Sequence, residues 1–389
     1  MVDTEISDSI KYLGADDREL NLFESQYVLK NGMSYNSYLI KDKKNVILDT
    51  IDRRVTNVWL EKLERELNGE KPDYLVISHL EPDHAYNIGL LLEKYPEMKI
   101  IGNTLTFNML PNFFDISNLG ERKILVKEGD TINIGEHTLQ FIMAPMVHWP
   151  EVMMTYEQKE KILFSADAFG KFGTVESEEE WLPEARRYYF GIVGKYGPQV
   201  QAVLKKASTL DIKTICPLHG PILKENLEYY LKTYDTWSSY KPEKDGIFIA
   251  CASIYGNTFS ACEKLKEMLE KDDAKEVKLF DLTRQDMAEA VAEAFKYSKI
   301  IFAASSYNAG VFTPMAQFLQ KLKERNFQNR KVGIIENGSW APSAAKNIKE
   351  VLQQMKDIDI ICPAITIKST VKPEDINNLK EFANNITKG

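Results

Sequence analysis

The first 245 residues carry short apolar runs separated by polar turns, the pattern of β-strands with at least one buried face. The first two runs, Tyr27–Leu29 and Tyr35–Ile40, flank the polar segment Lys30–Met33, which predicts a tight turn between two strands. Further predicted strands are Asn45–Leu48, 74–78, a set within 123–164, and 213–216, and helical patterns cover 55–67 and 184–210. This mixture of strands and helices predicts a layered α/β sandwich.

The pattern becomes regular after Tyr240–Gly246, a polar segment with proline and glycine that is a candidate linker. Apolar strands then alternate with helical segments, a repeat typical of an open parallel sheet wrapped by helices. The five predicted strands are 247–252, 277–280, 299–304, 331–336 and 358–362. We therefore predict two domains, residues 1–243 and residues 244–389, of which the second is a doubly wound parallel sheet.

The composition adds limits to this picture. The chain has 389 residues, of which 44% are hydrophobic and 27% charged, as expected for a globular protein with two cores. No apolar run reaches the roughly 20 residues that span a bilayer, and the acidic start lacks a signal-peptide pattern, so we expect a cytoplasmic protein without a membrane partner. A net charge of −8 argues against nucleic acid as a partner. The four cysteines form no C-x-x-C pair and predict free thiols.

The segment directly after the predicted strand 74–78 concentrates four potential metal ligands, His79, Glu81, Asp83 and His84. Functional loops are common at strand ends, where a rigid sheet holds them. Alternate residues of an extended segment point the same way, so His79, Glu81 and Asp83 share one direction before the turn adds His84. The segment therefore predicts side chains that converge on a metal.

Three further candidate ligands, His148, Asp167 and His219, also follow apolar segments. Seven nitrogen and oxygen donors are too many for one tetrahedral ion, but they suit two ions that share a carboxylate. One histidine in such a place is usually an ordinary hydrogen-bonded residue. Here four of the five histidines fall at strand ends near carboxylates, and only His137 stands apart. The joint pattern therefore predicts a dinuclear metal site.

Three strand-end loops in the second half predict a flavin site. Small hydroxyl residues and a glycine between the first strand and its helix allow backbone N–H groups to surround a phosphate. Alone, this loop also fits an ordinary turn with a helix cap. The loops after the third and fourth strands meet it at the carboxyl edge of a doubly wound sheet, where a flavin ring lies, with Tyr307 and Trp340 beside the ring. The candidate binding residues are Ser253, Ile254, Tyr255, Gly256, Asn257, Thr258, Ser305, Ser306, Tyr307, Asn308, Ala309, Gly310, Asn337, Gly338, Ser339 and Trp340.

Both sets of residues resemble one known family. The motif H-x-E-x-D-H and the later histidines and aspartate resemble the metallo-β-lactamase fold in its flavodiiron form, in which Glu81 replaces a second histidine. The loop S-x-Y-G-N-T resembles the phosphate loop of flavodoxin. The resemblance covers nearly the whole chain. It implies an N-terminal metallo-β-lactamase-like αββα sandwich, a flavodoxin-like second domain, and FMN and two iron ions as cofactors.

The resemblance also implies roles for the metal ligands. It assigns His79, Glu81 and His148 to one iron, Asp83, His84 and His219 to the other, and Asp167 to the bridge between them. In some members the histidine that matches His84 turns away from the metals. A carboxylate at position 81 is harder than imidazole, which favours iron or manganese over zinc. Tyr86 stands where members often have glycine and is expected to affect access to the metals.

The resemblance implies an enzyme that reduces dioxygen to water, nitric oxide to nitrous oxide, or both. Electrons are expected from a separate donor such as rubredoxin, because no donor domain follows the flavodoxin-like one. Residues 246–389 carry 20 Lys and Arg against 18 Asp and Glu, whereas the remainder carries 29 against 39. The resemblance implies a head-to-tail homodimer or a dimer of dimers, and these balances of +2 and −10 would fit such a contact. They also suggest that an acidic donor docks beside the FMN, with Lys321, Lys323 and Arg325 as contacts.

Two other functions fit parts of the sequence. A zinc hydrolase with an accessory flavodoxin-like domain would share the sandwich fold, but Glu81 and the missing second histidine argue against zinc. An electron carrier or sensor would cycle its flavin without consuming gas. Metal analysis distinguishes the first alternative, and catalytic turnover distinguishes the second.

Overall fold

The computed structural model describes residues 4–115, 119–175, 180–271 and 276–389. Contacts within the chain divide it into two units, Met1–Asp235 and Thr236–Gly389. The division falls within the helix Leu227–Ser238. The predicted domain boundary between residues 243 and 244 lies shortly after this point and stays a prediction.

Two sheets form the first unit. The six-stranded sheet contains, in spatial order, Ile10–Tyr12, Tyr38–Ile40, Val46–Leu48, Tyr74–Val76, Lys99–Gly102 and Lys123–Leu125. The five-stranded sheet contains Thr131–Asn133, Thr138–Met143, Met153–Glu157, Ile162–Phe164 and Thr214–Cys216. Apolar side chains of both sheets, such as Leu48, Val76, Phe141 and Phe164, form one buried cluster. The sheets are therefore two packed layers, as the mixed pattern predicts.

Helices and two small sheets complete the first unit. The small sheets pair Ala15–Asp17 with Met33–Tyr35 and Leu22–Phe23 with Tyr27–Val28. The α-helices are Thr56–Leu67, Pro82–Ala85, Ile88–Lys94, Thr104–Met109, Trp181–Tyr188, Gly197–Ala207 and Leu227–Ser238. Short 3-10 turns lie at Arg53–Val55, Leu110–Asn112, Gly120–Arg122 and Gly194–Tyr196, and a π-helical turn lies at Tyr189–Val193. The predicted long helix over 184–210 is thus interrupted near its middle.

The start of the chain differs from the sequence prediction. The turn Lys30–Met33 was expected to join two paired strands, but the strands on its two sides pair with other partners, so the predicted hairpin is wrong. The predicted strand Tyr35–Ile40 is also broken at Asn36 and Ser37, where the chain passes from a small sheet into the six-stranded sheet. The buried Asn36 amide donates to the carbonyls of Pro217 and Gly220, at 2.8 and 2.9 Å. The Asn36 side chain at this break therefore anchors the loop that carries His219.

The second unit is an open parallel sheet with helices on both faces. In spatial order its main strands are Val277–Asp281, Lys244–Ala252, Tyr297–Tyr307, Arg330–Asn337 and Ile358–Ile360, and Ile365–Ile367 also pairs with Arg330–Asn337. The short strand Gly310–Val311 pairs antiparallel with the end of Tyr297–Tyr307. The order reverses beside the first strand, which is the arrangement of a doubly wound sheet.

The helices of this unit are Asn257–Lys271, Met287–Lys296, Thr313–Glu324, Ala344–Leu352 and Pro373–Lys388. Leu265 of the first and Phe382 of the last pack in the same apolar cluster against the sheet. No helix among the described residues combines the length and the hydrophobicity needed to cross a bilayer.

The predicted linker Tyr240–Gly246 is partly strand, because the first strand already begins at Lys244. The segment before it is fixed by Arg330, which is 2% exposed and donates to the carbonyl oxygen of Tyr240 at 2.8 Å. The same guanidinium donates to the carbonyls of Phe295, Gln328 and Asn329. Arg330 therefore fastens the entering chain to the amino edge of the sheet.

Candidate metal centre and flavin pocket

The loop after Tyr74–Val76 brings four predicted ligands to the edge of the sheet. Asp49 from the neighbouring strand end accepts a hydrogen bond from the Ser78 amide at 2.7 Å, which fixes the start of the loop. Glu81 then occupies the N-cap position of the short helix Pro82–Ala85 without a capping hydrogen bond from its side chain, and the proline that begins this helix suits a helix start. This turn places Asp83 and His84 beside the extended residues that precede it.

His79, Glu81 and His148 form one half of a cluster. The Nε2 atoms of His79 and His148 are 3.3 Å apart, and they lie 3.3 and 3.0 Å from Glu81 Oε2. Both imidazoles are buried, and the edge of the Trp149 ring packs against His79 at a centroid distance of 5.0 Å. Three donor atoms therefore face one point.

Asp83, His84 and His219 form the other half. Asp83 Oδ2 lies 3.5 Å from His84 Nε2 and 3.3 Å from His219 Nε2. His84 thus turns toward the cluster in this structure, although the matching histidine turns away in some members of the family that the sequence resembles. Tyr86, which follows this helix, is half exposed.

Asp167 joins the two halves. Its Oδ1 lies 3.2 Å from His84 Nε2 and 3.5 Å from His219 Nε2, whereas its Oδ2 lies 3.4 Å from the Nε2 atoms of both His79 and His148. The side chain is fully buried. Each oxygen therefore faces a different half, as a carboxylate that bridges two cations would.

The cluster fits two metal ions by its own chemistry. Both oxygens of Asp83, Asp167 Oδ2 and His219 Nε2 are buried without a hydrogen-bond partner among the described residues. Unsatisfied buried polar atoms are costly unless a ligand uses them. The donor atoms of each half lie within 4.8 Å of one another. Four imidazoles and three carboxylates form a set that suits iron or manganese.

The same groups perturb one another's protonation. Burial opposes a charged imidazole, but Asp83 and Asp167 outweigh it and raise the pKa of His84 to about 9. For His148, burial is outweighed by Asp167 and Glu81, which raise its pKa to about 9. Burial likewise opposes the charge of Asp167, but His84 and His148 hold its pKa well below the ordinary value. Metal binding therefore has to displace protons, so the affinity rises with pH.

The structure adds three residues that the sequence analysis did not select. Tyr188 is buried, and burial together with the nearby carboxylates of Asp167 and Asp83 raises the pKa of its hydroxyl well above the ordinary value. Glu151 lies 2.8 Å from His79 Nδ1, and the Ser34 carbonyl lies 2.7 Å from His219 Nδ1. No motif marks these positions, because they depend on strands that are distant in sequence. His137, the histidine predicted to stand apart, lies outside the cluster, with Nδ1 at 3.0 Å from Glu157.

The three predicted flavin loops meet around one cavity of about 730 Å³ at the carboxyl edge of the second sheet. Fourteen of the predicted residues line it, whereas Gly256 and Gly310 do not, and Ala341, Pro342, Ser343 and Ser369 line it in addition. Gly256 has a φ of +88°, a left-handed conformation that glycine adopts without strain, and it shapes the loop from outside the cavity wall. Gly256 is thus important for the backbone conformation of the predicted loop rather than for contact with the cavity.

The cavity suits a flavin phosphate and ring. Its first loop opens the helix Asn257–Lys271, whose N-terminal N–H groups favour an anion. The hydroxyls of Thr258 and Ser305 are 3.0 Å apart, so the first two loops contact each other. No lysine or arginine is among the described residues that line the cavity. Tyr255 and Trp340 are 92% and 85% exposed at the rim, which leaves their rings available to a planar ligand.

The predicted donor contacts lie at the wrong end of this unit. Lys321, Lys323 and Arg325 are on or just after the last turn of the helix Thr313–Glu324, which starts at the flavin edge. A 12-residue helix is about 18 Å long. The chain then enters the strand Arg330–Asn337 at its amino end, so these charges lie near the opposite edge of the sheet. Their predicted place beside the flavin loops is therefore wrong.

Comparison with known proteins supports both units. The family model for ODP-family β-lactamase domains matches residues 33–220. An uncharacterised protein of Methanocaldococcus jannaschii is 30% identical over 97% of this chain and 96% of its own. The anaerobic nitric oxide reductase flavorubredoxin of Aliivibrio fischeri is 30% identical over 88% of this chain and 71% of its own.

Solved structures extend the similarity to the whole fold. The rubredoxin:oxygen oxidoreductase of Desulfovibrio gigas superposes with a TM-score of 0.91 at 26% identity, over 99% of this chain and 98% of that one. A mutant form of the flavo di-iron protein of Thermotoga maritima gives a TM-score of 0.88 at 24% identity, over 100% of this chain and 98% of that one. The predicted fold, a metallo-β-lactamase-like domain followed by a flavodoxin-like domain, is confirmed.

Proposed function

We propose a gas-reducing function for this chain, which belongs to the flavodiiron family of oxidoreductases that carry FMN and a diiron centre. The proposed reactions are the reduction of dioxygen to water, the reduction of nitric oxide to nitrous oxide, or both. The two-sided geometry of Asp167 carries the proposal, because one carboxylate faces two complete sets of donors. One relative is named a nitric oxide reductase and another a rubredoxin:oxygen oxidoreductase. These names support the two gases as substrates of this chain.

The chain's own residues hold and shape the reaction site. Two iron ions, when bound, would supply electrons to a diatomic gas, and bound FMN would supply one-electron chemistry. Asp167 holds the two halves together, and Tyr188 keeps a proton at its hydroxyl next to Asp167. The rings of Phe23 and Tyr35 pack against His219, with centroids at 5.6 and 5.7 Å, and keep bulk water from this side. Burial and the neighbouring carboxylates raise the pKa of Tyr188 well above its ordinary value, so the hydroxyl stays protonated beside Asp167.

Composition and turnover test this function together. Purified protein from iron-replete cells is expected to contain about two iron ions and one FMN per chain, as a site with a shared carboxylate requires. Anaerobic stopped-flow of the reduced protein with each gas, followed by steady-state rates, then identifies the substrate. Full occupancy by zinc would favour a hydrolase instead. A flavin that cycles without catalytic gas consumption would indicate an electron carrier.

We propose that the protein forms a head-to-tail homodimer or a dimer of such dimers. We also propose that it is located in the cytoplasm. In the described part of the second unit, every large hydrophobic residue that is exposed lines the flavin cavity: Ile254, Tyr255, Tyr307 and Trp340. An apolar rim of this kind is typical of a surface that is covered by another protein surface. Sedimentation velocity of the purified protein at micromolar concentration checks this, and a monomer would contradict it.

A rubredoxin-like acidic donor is expected to dock at the flavin edge through Lys346, Lys368 and Lys372. These exposed lysines lie on the first turn of Ala344–Leu352, directly after Ile365–Ile367, and directly before Pro373–Lys388, at the edge that carries the cavity. Neutralising all three with glutamine should slow flavin reduction by reduced rubredoxin about tenfold at low salt, because steering charges raise association rates.

The matched control neutralises Lys321, Lys323 and Arg325 at the opposite edge and should leave the rate unchanged. Added salt should slow the wild type and the control alike, since exposed charges are screened over about 8 Å at physiological ionic strength. Equal rates for both triple variants at every salt concentration would exclude electrostatic docking at the flavin edge.

A further inference from the structure

The two halves of the metal cluster differ in how their histidines are held. His79 Nδ1 lies 2.8 Å from Glu151 Oε1, and the same oxygen accepts a hydrogen bond from the Leu80 amide at 2.9 Å. Glu151 is fully buried, and the Asn103 side chain donates to its backbone carbonyl at 2.6 Å. The carboxylate is therefore fixed, and it holds the His79 ring with Nε2 directed into the cluster.

The other half has weaker support. His219 Nδ1 faces the neutral carbonyl of Ser34, at 2.7 Å. His84 Nδ1 is buried and has no hydrogen-bond partner among the described residues. A buried donor or acceptor without a partner is destabilising. Within the described part of the chain, the His84 ring thus lacks a hydrogen bond at Nδ1 that would fix its orientation from behind.

We propose that Glu151 is a positioning residue that makes the two metal positions unequal. Through His79 it causes the half formed by His79, Glu81 and His148 to bind its metal more tightly than the half formed by Asp83, His84 and His219. The inference rests on the dinuclear site proposed above, and it adds an order of loading to it. The His79 half fills first, and the His84 half is the exchangeable one.

The physical reason is the difference between a charged and a neutral acceptor. A carboxylate behind an imidazole fixes the tautomer that presents Nε2 to the metal and raises the basicity of the ring. A hydrogen bond to a charged acceptor is about twice as strong as one between neutral groups. Partners of this kind change metal affinity by about 10–100-fold when they are mutated. Glu151 therefore acts on one half selectively, since its contact is with His79.

Titration of the metal-stripped full chain with Co²⁺ tests the proposal, because visible absorption follows binding without turnover. Wild type is expected to fill in two steps. His148→Ala should remove the tighter step, and His84→Ala should affect only the weaker one. Glu151→Gln keeps an oxygen that accepts from His79 but loses the charge, so it should weaken the tighter step about 10–100-fold and spare the weaker step. Glu151→Ala should weaken the tighter step further.

Glu157→Gln is the matched control. Glu157 is also fully buried and faces a buried histidine, His137, at 3.0 Å, but that pair is outside the metal cluster. The control is expected to shift thermal unfolding without changing either Co²⁺ step. Two binding steps of equal affinity in wild type would overturn the proposal that the two metal positions differ. A Glu151→Gln variant that weakens both steps equally, or weakens neither, would also overturn it. Uptake of fewer than two Co²⁺ ions by wild type would instead contradict the dinuclear site itself.

Discussion

Asp167→Ala is expected to abolish gas reduction while leaving FMN bound. Each Asp167 oxygen faces a different half of the cluster, and no other described side chain does so. Loss of the bridge removes metal-assisted stabilisation worth several kcal/mol, so turnover should fall by about a thousandfold or more. The flavin loops belong to the second unit, and they keep their own contacts in the variant.

Iron content, FMN content and steady-state gas consumption of the same preparation check this expectation. Asp167→Asn is the informative second variant, because it keeps the size of the side chain but has only one oxygen. Asp211→Asn is the control, since that carboxylate is exposed and pairs with Lys161 at the surface. Near-normal turnover of Asp167→Ala with two bound irons would show that Asp167 is not the bridge.

Arg330→Met should lower the free energy of unfolding of the second unit by about 3 kcal/mol or more, because several backbone carbonyls lose their donor. The guanidinium is buried and donates to four backbone carbonyls, including those of Tyr240 and Phe295. Methionine fills a similar volume but donates nothing, and each carbonyl left unpaired in the interior costs about 1–3 kcal/mol. Burial lowers the pKa of Arg330 to about 10, so the side chain still carries its charge at neutral pH.

Chemical denaturation followed by FMN release provides the measurement for Arg330→Met. Lys331→Met is the control, because the neighbouring lysine is exposed and its loss should cost little. We expect the flavin of the Arg330 variant to dissociate at a clearly lower denaturant concentration than in wild type or in the control. Coinciding transitions for all three proteins would mean that the carbonyl contacts of Arg330 contribute little.

The clustering of the candidate metal ligands could be predicted from the sequence because strand ends are visible in it. A run of apolar residues followed by histidines and carboxylates fixes where these side chains emerge, and the structure brings all seven to one place. The direction of each side chain could not be predicted. That Asp167 presents its two oxygens to two halves, and that His84 turns inward, depends on packing between the two sheets.

Contacts between distant segments explain what the sequence analysis missed. The strand breaks at Asn36 because the Asn36 side chain donates to carbonyls of the loop that carries His219. One of these carbonyls belongs to Pro217, which lies 181 residues further along the chain. Tyr188 and Glu151 likewise gain their roles only through Asp167 and His79. The error over Lys321, Lys323 and Arg325 has a simpler cause. Proximity to a loop in sequence was taken as proximity in space, although the helix leads away from it.

The spread of the proposed metal ligands along the chain has a consequence for how the protein is made. The first ligand is residue 79 and the last is residue 219, a span of 140 residues that includes strands of both sheets. At about 5–20 residues per second, a ribosome needs on the order of ten seconds to cover that distance. Until His219 has emerged and its loop has docked against Asn36, the growing chain has no complete second half to close around an ion. The half that contains His219 is thus expected to load only after this segment has been synthesised, whereas the ligands of the His79 half emerge earlier.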